Sequence, residues 1–161
     1  MVLQDTKIFQ GTIRENIAYG KPNASIEEIK QAAELSFANT FIEKLPDGYD
    51  TYISNSDMLS EGEVQLLNIA RIMLIKPPIL ILDEATSNID LLTEDMIKKA
   101  ILELTSNSTS IIIAHRLSTI KNCDFIVFIE DGNIVEVGTH DELINKKGAY
   151  YNMYKSQFNL I

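Results

Sequence analysis

The sequence predicts an α/β fold with a short parallel sheet, a helical region before it and an antiparallel edge hairpin after it. Two apolar runs, residues 79–82 and residues 109–114, are typical of parallel strands that are buried on both faces. A helical pattern lies between them, carried by Met96, Ile97, Ala100, Ile101 and Leu104. A strand, a helix and a second strand in this order favour a crossover connection, which makes the two strands parallel.

The region before the sheet has sequence signals for the starts and ends of helices. Residues 12–19 and residues 40–45 form two short helical patterns, and Ser25 with Glu28 forms a capping box between them. Ser60 and Glu63 form a second capping box, which predicts a long helix that ends at Lys76 and Pro77. We therefore expect a helical block over residues 5–76 and a sheet-containing part over residues 77–161.

The sequence after the first strand predicts the rest of the sheet and a terminal helix. Asp90 or Thr93 begins the crossover helix, and a short helix over residues 117–121 leads to a third strand over residues 125–129. Further turn and cap signals then predict a hairpin at Asp131–Gly132 into a strand over residues 134–137, and a last helical region that Thr139 and Glu142 cap, with a break at Gly148.

Composition excludes several classes of function. The chain has 161 residues and a formal net charge of -9, which argues against nucleic acid as a partner. Cys123 is the single cysteine, so an internal disulfide is impossible. No apolar run approaches the length of a membrane span, and no signal peptide is present.

Chemically active side chains follow the predicted strands. Asp83 and Glu84 come directly after the first strand, and His115 comes after the second. The carboxyl ends of adjacent parallel strands lie at one edge of the sheet, so these side chains should be within reach of one ligand. Ser60 begins a helix whose free N–H groups suit a phosphate. The alternative is that Asp83 caps a turn and Glu84 is solvated.

Five segments together resemble a known family. Residues 59–63 (Leu-Ser-Glu-Gly-Glu), residues 79–90 and residues 115–119 resemble the nucleotide-binding domain of ABC transporters. Residues 2–5 and residues 9–17 resemble its exporter branch, in which the ATPase domain follows membrane helices. The resemblance implies part of a P-loop NTPase core with a helical subdomain, and it implies ATP and Mg²⁺ as cofactors.

The resemblance also implies roles for four residues of the catalytic edge. Asp83 matches the Walker B aspartate, which holds Mg²⁺ through water. Glu84 matches the catalytic glutamate that polarises the attacking water, and His115 matches the switch histidine near the γ-phosphate. Gln4 matches the Q-loop glutamine, which touches the magnesium site and couples to the membrane domain; alone it would be a hydrogen-bonding residue at a strand end.

A second group of residues matches motifs that act across a dimer. Ser60 and Gly62 match the signature positions whose hydroxyl and N–H contact the γ-phosphate of ATP held by the partner. Residues 87–90, ending at Asp90, match the D-loop, which crosses to the partner domain. The signature of the family is Leu-Ser-Gly-Gly-Gln, and here Glu61 and Glu63 replace its third and fifth positions. Glu63 could instead fold back onto the Ser60 N–H as a helix cap.

These departures predict an unequal pair of ATP sites. An intact Glu84 and His115 beside an altered signature resemble one half of a heterodimeric exporter, which supplies catalysis to one site and a poor signature to the other. The loop over residues 54–58, which normally senses the membrane domain, also lacks the glycine-rich pattern of the family.

The phosphate-binding loop Gly-x-x-x-x-Gly-Lys-Ser/Thr is not found in the sequence. Of the seven glycines only Gly20 precedes a lysine, and Glu15 stands where the first glycine of the motif would be. We therefore expect the chain to be the C-terminal part of an exporter ATPase, at the cytoplasmic face of the membrane, and to be inactive by itself. The alternatives are a non-catalytic partner that supplies only its signature helix, and a gene remnant.

Overall fold

The computed structural model describes residues 7–55, 58–83, 89–106, 108–114 and 120–157. It divides into two compact units, residues 1–113 and residues 114–161. The division that the sequence predicts, at residue 76, concerns subdomains of a larger core and stays a prediction. None of the helices in the described ranges is both long enough and apolar enough to cross a membrane.

Short elements form the start of the first unit. The elements in chain order are β1 (Gly11–Thr12), α1 (Ile13–Ala18), α2 (Ile26–Leu35), α3 (Asn39–Ile42), a 3₁₀ turn (Gly48–Asp50) and β2 (Tyr52–Ile53). The capping box of Ser25 and Glu28 begins α2 as predicted. A further box, Thr12 with Glu15, begins α1, and β1 pairs with β2 antiparallel. The predicted helix over residues 40–45 is the shorter α3, which makes no side-chain cap hydrogen bond.

Helix α4 (Glu61–Ile75) is the centre of the first unit's core. Its buried side chains pack with those of α1, α2 and the following helix α5 (Leu91–Thr105). The helix ends at Lys76, which takes a left-handed conformation with φ of 50°, and Pro77 follows. Proline cannot continue a helix, so the chain turns here into the strand that ends at Asp83, the predicted magnesium ligand.

A buried arginine on α4 connects the core to the first described residues. Arg71 donates from Nε to the Asn16 backbone oxygen and from Nη2 to Asn16 Oδ1, each at 2.6 Å. Its Nη1 donates to the backbone oxygen of Lys7 at 2.9 Å, and its guanidinium lies 5.3 Å from the ring centroid of Phe9. Burial lowers the pKa of Arg71. The contacts fasten residues 7–9 to both α1 and α4.

Within the described ranges, the parallel sheet consists of β3 (Ile79–Asp83) and β4 (Thr109–Ile113), and α5 lies between them along the chain. The prediction that both strands are buried on both faces is wrong for this chain. Leu80 and Leu82 are buried, but Ile79 is 63% exposed and Ile111 is 55% exposed. Burial alternates along β3, so one face of this strand is covered among the described residues and the other is exposed.

Over residues 126–157, the second unit consists of a hairpin and two helices. Its elements are β5 (Ile126–Glu130), β6 (Asn133–Gly138), α6 (His140–Lys146) and α7 (Ala149–Gln157). The predicted turn at Asp131–Gly132 is present, and β5 pairs with β6 antiparallel. Within this unit, the buried Glu136 accepts a hydrogen bond from the Tyr150 N–H at 2.9 Å, which satisfies a donor in the first turn of α7.

Candidate functional site

The carboxyl ends of β3 and β4 meet at one edge of the sheet. Asp83, the last residue of β3, is in register with Ile113, the last residue of β4, and its side chain is half-buried. Glu84 follows Asp83 directly, and His115 comes two positions after Ile113. Both predicted catalytic residues lie outside the described residues, as does Gln4, so their roles stay predictions. The sheet does place the two strand ends from which they follow side by side.

The N-terminus of α4 is closed by a complete capping box. The Ser60 N–H donates to Glu63 Oε2 at 2.8 Å, and the Glu63 N–H donates to Ser60 Oγ at 3.3 Å. The Ser60 hydroxyl also donates to Glu63 Oε2, at 2.9 Å. The predicted fold-back of Glu63 is therefore present. It brings a negative charge against the serine, and it engages the hydroxyl proton of that serine.

Gly62 lies in the first turn of the same helix, and its N–H has no acceptor among the described residues. The first N–H groups of an α-helix lack intrahelical acceptors, and together with the helix dipole they attract anions. Gly62 is buried beside Ser60. Glu61 is exposed next to it, and Glu63 is half-buried. The helix end therefore combines a donor that suits a phosphate with two carboxylates that repel one.

Asp90 is the N-cap of α5. Its Oδ1 accepts from the Leu92 N–H at 3.1 Å and from the Thr93 N–H at 3.0 Å. Hydrogen bonds from the Thr93 side chain and then from the Thr93 backbone lower the pKa of Asp90. The carboxylate thus caps the helix. This is the role that the residue pattern alone predicts for Asp90, before the family resemblance is considered. Its D-loop role stays a prediction, and residues 87–88 lie outside the described ranges.

The first turn of α5 packs directly against the first turn of α4. A Cβ on Gly62 would lie 2.4 Å from Thr93 Cγ2 and 3.3 Å from Ile89 Cγ2. Sequence analysis missed this contact, although a glycine within a helical pattern often indicates a close approach by another element. Ser60 and Asp90, predicted from separate motifs, begin these two helices that touch.

The side chains at the sheet edge suit Mg²⁺ in one respect. Among the described ranges, no group of three or more His, Cys, Asp or Glu residues is arranged to hold a metal by itself. Magnesium is commonly held by one or two carboxylates together with substrate phosphates. Asp83, a half-buried oxygen donor at the end of β3, fits such a partial site.

Comparison with known proteins identifies the class. The family described as ABC transporter matches residues 1–87, which is more than half of the chain, so the chain belongs to this family. The α/β fold with its parallel strands agrees with that membership. The structure titled "Structure of a bacterial Atm1-family ABC exporter with ATP bound" matches with a TM-score of 0.84 and 42% identity, over 96% of this chain and 27% of that one.

Individual relatives fall within the same class. The ABC transporter ATP-binding protein YfiC of Bacillus subtilis is 53% identical over 98% of this chain, and a fatty acid ABC transporter ATP-binding/permease protein of Mycobacterium tuberculosis is 50% identical over 97%. A putative multidrug export ATP-binding/permease protein of Staphylococcus aureus is 51% identical over 98%. The chain spans about a quarter of the length of these relatives, between 25% and 27%.

Proposed function

We propose that this chain is the part of an exporter's ATP-binding domain that contains the Walker B strand, the catalytic glutamate, the switch histidine and the signature helix. Within a complete ATP-binding/permease protein it would couple ATP hydrolysis to transport, at the cytoplasmic face of the membrane. The observation that carries the proposal is the parallel pair of β3 and β4, which ends in register at Asp83. The experiment that tests it is ATP hydrolysis by the complete protein, with and without substitution of Glu84.

Each residue at the sheet edge would have a separate role in ATP hydrolysis. Asp83 would hold Mg²⁺, with Gln4 as a further oxygen donor, and the ion would neutralise charge on the phosphate oxygens. Glu84 would orient and polarise the attacking water, and His115 would donate a hydrogen bond to the transferring phosphate. Each residue is assigned by its position in the family motifs.

We further propose that the chain acts in a heterodimer, because of the charge at its signature. The Glu63 carboxylate lies within hydrogen-bonding distance of both Ser60 N and Ser60 Oγ, the latter being an atom that would meet a partner-bound phosphate. At an effective dielectric constant of about 20, a like charge roughly 4–8 Å away costs on the order of 2–4 kcal/mol. The dipole at a helix N-terminus stabilises a bound anion by about 0.3–1 kcal/mol, which is less than the cost of the repulsion.

The fold-back of Glu63 strengthens this argument. The capping box holds the carboxylate at the serine, so the charge cannot swing away without breaking two hydrogen bonds. It also directs the Ser60 hydroxyl proton toward Glu63, so a phosphate would have to compete for that donor. The ATP site that this signature completes would therefore be the weak one of the pair, and Glu84 would serve the other site.

Glu63→Gln in the complete heterodimer should tighten ATP binding at the weak site about tenfold. Glutamine at the third helical position preserves a capping box, so the helix end should stay intact while the negative charge is lost. A tenfold change corresponds to about 1.4 kcal/mol, less than the full repulsion because the site is partly solvated. Equilibrium ATP binding to the heterodimer, resolved into its two affinities, is the measurement.

Glu142→Gln is the matched control, because Glu142 forms the same kind of box with Thr139 at 2.8 and 3.3 Å. It should leave both ATP affinities unchanged. An unchanged weak affinity in Glu63→Gln would contradict the charge argument. A complete protein that forms a homodimer and hydrolyses ATP at two equivalent sites would contradict the heterodimer.

We also propose that the 161-residue chain by itself binds ATP weakly and does not turn it over. No Gly-x-x-x-x-Gly-Lys-Ser/Thr sequence is present to surround the phosphates with N–H donors. Titration of the isolated chain with Mg-ATP should give a dissociation constant in the millimolar range, near that of isolated phosphate contacts. Micromolar affinity would contradict this prediction, and magnesium-free ATP is the control for metal dependence.

A further inference from the structure

Gly62 belongs to the signature, and residues of the same chain fill the space where its side chain would be. A Cβ at this position would meet Thr93 Cγ2 at 2.4 Å and Ile89 Cγ2 at 3.3 Å, and Cβ contacts under 3.0 Å are essentially never observed. Gly62 is buried, whereas its neighbour Glu61 is exposed. The exposed signature position has departed from glycine and the buried one has kept it, as packing within one chain requires.

Thr93 is held firmly on the other side of this contact. Its N–H donates to Asp90 Oδ1 at 3.0 Å, which holds the residue in the first turn of α5. The methyl group is the atom nearest to a Cβ at position 62.

The contact joins two places that the proposed function uses for different ATP molecules. Gly62 and Ser60 form the N-terminus that would meet ATP on the partner. Ile89 comes six positions after Asp83, the residue at the strand end that would meet ATP on this chain. The first turns of α4 and α5 therefore connect a chain's own nucleotide site to the signature that it presents to the other site.

We propose that Thr93 is a positioning residue, whose methyl group sets where the N-terminus of α4 presents Ser60 and the Gly62 N–H. The inference rests on the proposed function and deepens it. Thr93 acts through Gly62 and does not itself touch a nucleotide. Glycine is needed at position 62 because Thr93 occupies the space of a side chain, independently of any close approach by the partner's ATP.

The test exchanges the methyl group between the two positions in the complete transporter. Gly62→Ala should weaken ATP binding at the site that this signature completes about tenfold, because overpacking displaces the helix end. Thr93→Ser removes only the methyl group, so a smaller loss of affinity, about threefold, is expected at the same site. The double variant Gly62→Ala/Thr93→Ser should return this affinity to within about twofold of the wild type, because neighbouring substitutions couple.

Gly62→Ala/Thr93→Val is the matched control, since valine keeps a methyl near residue 62 and lacks the hydroxyl. It should stay as impaired as Gly62→Ala. Equilibrium ATP binding at the site that contains Asp83 should be unchanged in all variants, so the effect should be confined to the affinity of the site that this signature completes. Thermal unfolding midpoints of the same proteins report any general loss of stability.

Several outcomes would overturn the inference alone. If the double variant is no better than Gly62→Ala, the clash lies with the partner's nucleotide and not with Thr93. If the exchange restores the unfolding midpoint but not the ATP affinity of the weak site, the contact is structural only. A normal ATP affinity at that site for Thr93→Ser and Gly62→Ala would also exclude the positioning role. Failure of the wild-type transporter to hydrolyse ATP would instead overturn the proposed function. The two failures are distinguishable, because this one is measured on the wild type and not on the variants.

Discussion

Glu84→Gln should lower ATP turnover by the complete transporter roughly 10²–10⁴-fold, the usual range for loss of a general base. Glutamine has nearly the same shape as glutamate but cannot accept the proton of the attacking water. The residue follows Asp83, whose strand end lies beside that of β4. Steady-state phosphate release at saturating Mg-ATP is the measurement, and ATP binding should be retained, because the carboxylate acts on water and not on the adenine or the α-phosphate.

Glu103→Gln is a suitable control, because it makes the same change at an exposed position on α5. It should leave turnover within experimental error of the wild type. Normal turnover in Glu84→Gln would contradict the assignment of Glu84 as the catalytic base. It would also contradict the proposal that one ATP site is catalytic and the other weak. Loss of turnover together with loss of ATP binding would indicate damage to the fold at the sheet edge.

Local signals in the sequence predicted the beginnings of helices well. Serine or threonine followed three positions later by glutamate predicted caps at Ser25, Ser60 and Thr139, and each capping box is present. These motifs succeed because every hydrogen bond of the box lies within four residues, so distant packing is not needed to form it. The hairpin turn at Asp131–Gly132 succeeded for the same reason.

Long-range packing was predicted less well. The apolar run of β3 predicted burial on both faces. Such a run indicates that a strand is suited to burial, but it does not show whether other elements of the chain cover both of its faces. Ile79 and Ile81 are exposed for that reason. The contact of Gly62 with Thr93 joins residues from different helices, and only their positions in space reveal it. The candidate site was likewise predictable as motifs, while the engagement of Ser60 by Glu63 required the side-chain geometry.

Sequence analysis did not single out Arg71, yet its contacts in the structure indicate a large effect of its removal. Arg71→Leu should lower the free energy of unfolding by about 3–5 kcal/mol, because the buried Asn16 loses a charged donor at both of its oxygens and the Lys7 backbone oxygen loses another. The arginine is only 9% exposed, so water cannot readily replace it. Urea unfolding of the 161-residue chain, followed by circular dichroism, is the measurement.

Arg14→Leu separates this effect from the general loss of an arginine. Arg14 pairs with Asp50 at 3.0 Å, but the two side chains are 52% and 65% exposed. Exposed ion pairs contribute about 0–1 kcal/mol, so this variant should be close to the wild type. Arg71→Lys should lie between the two, because lysine keeps the charge but cannot donate to Asn16 and Lys7 from one planar group. Equal stabilities for Arg71→Leu and Arg14→Leu would show that residues 7–9 are held to the helices by apolar packing, and that the guanidinium contributes little.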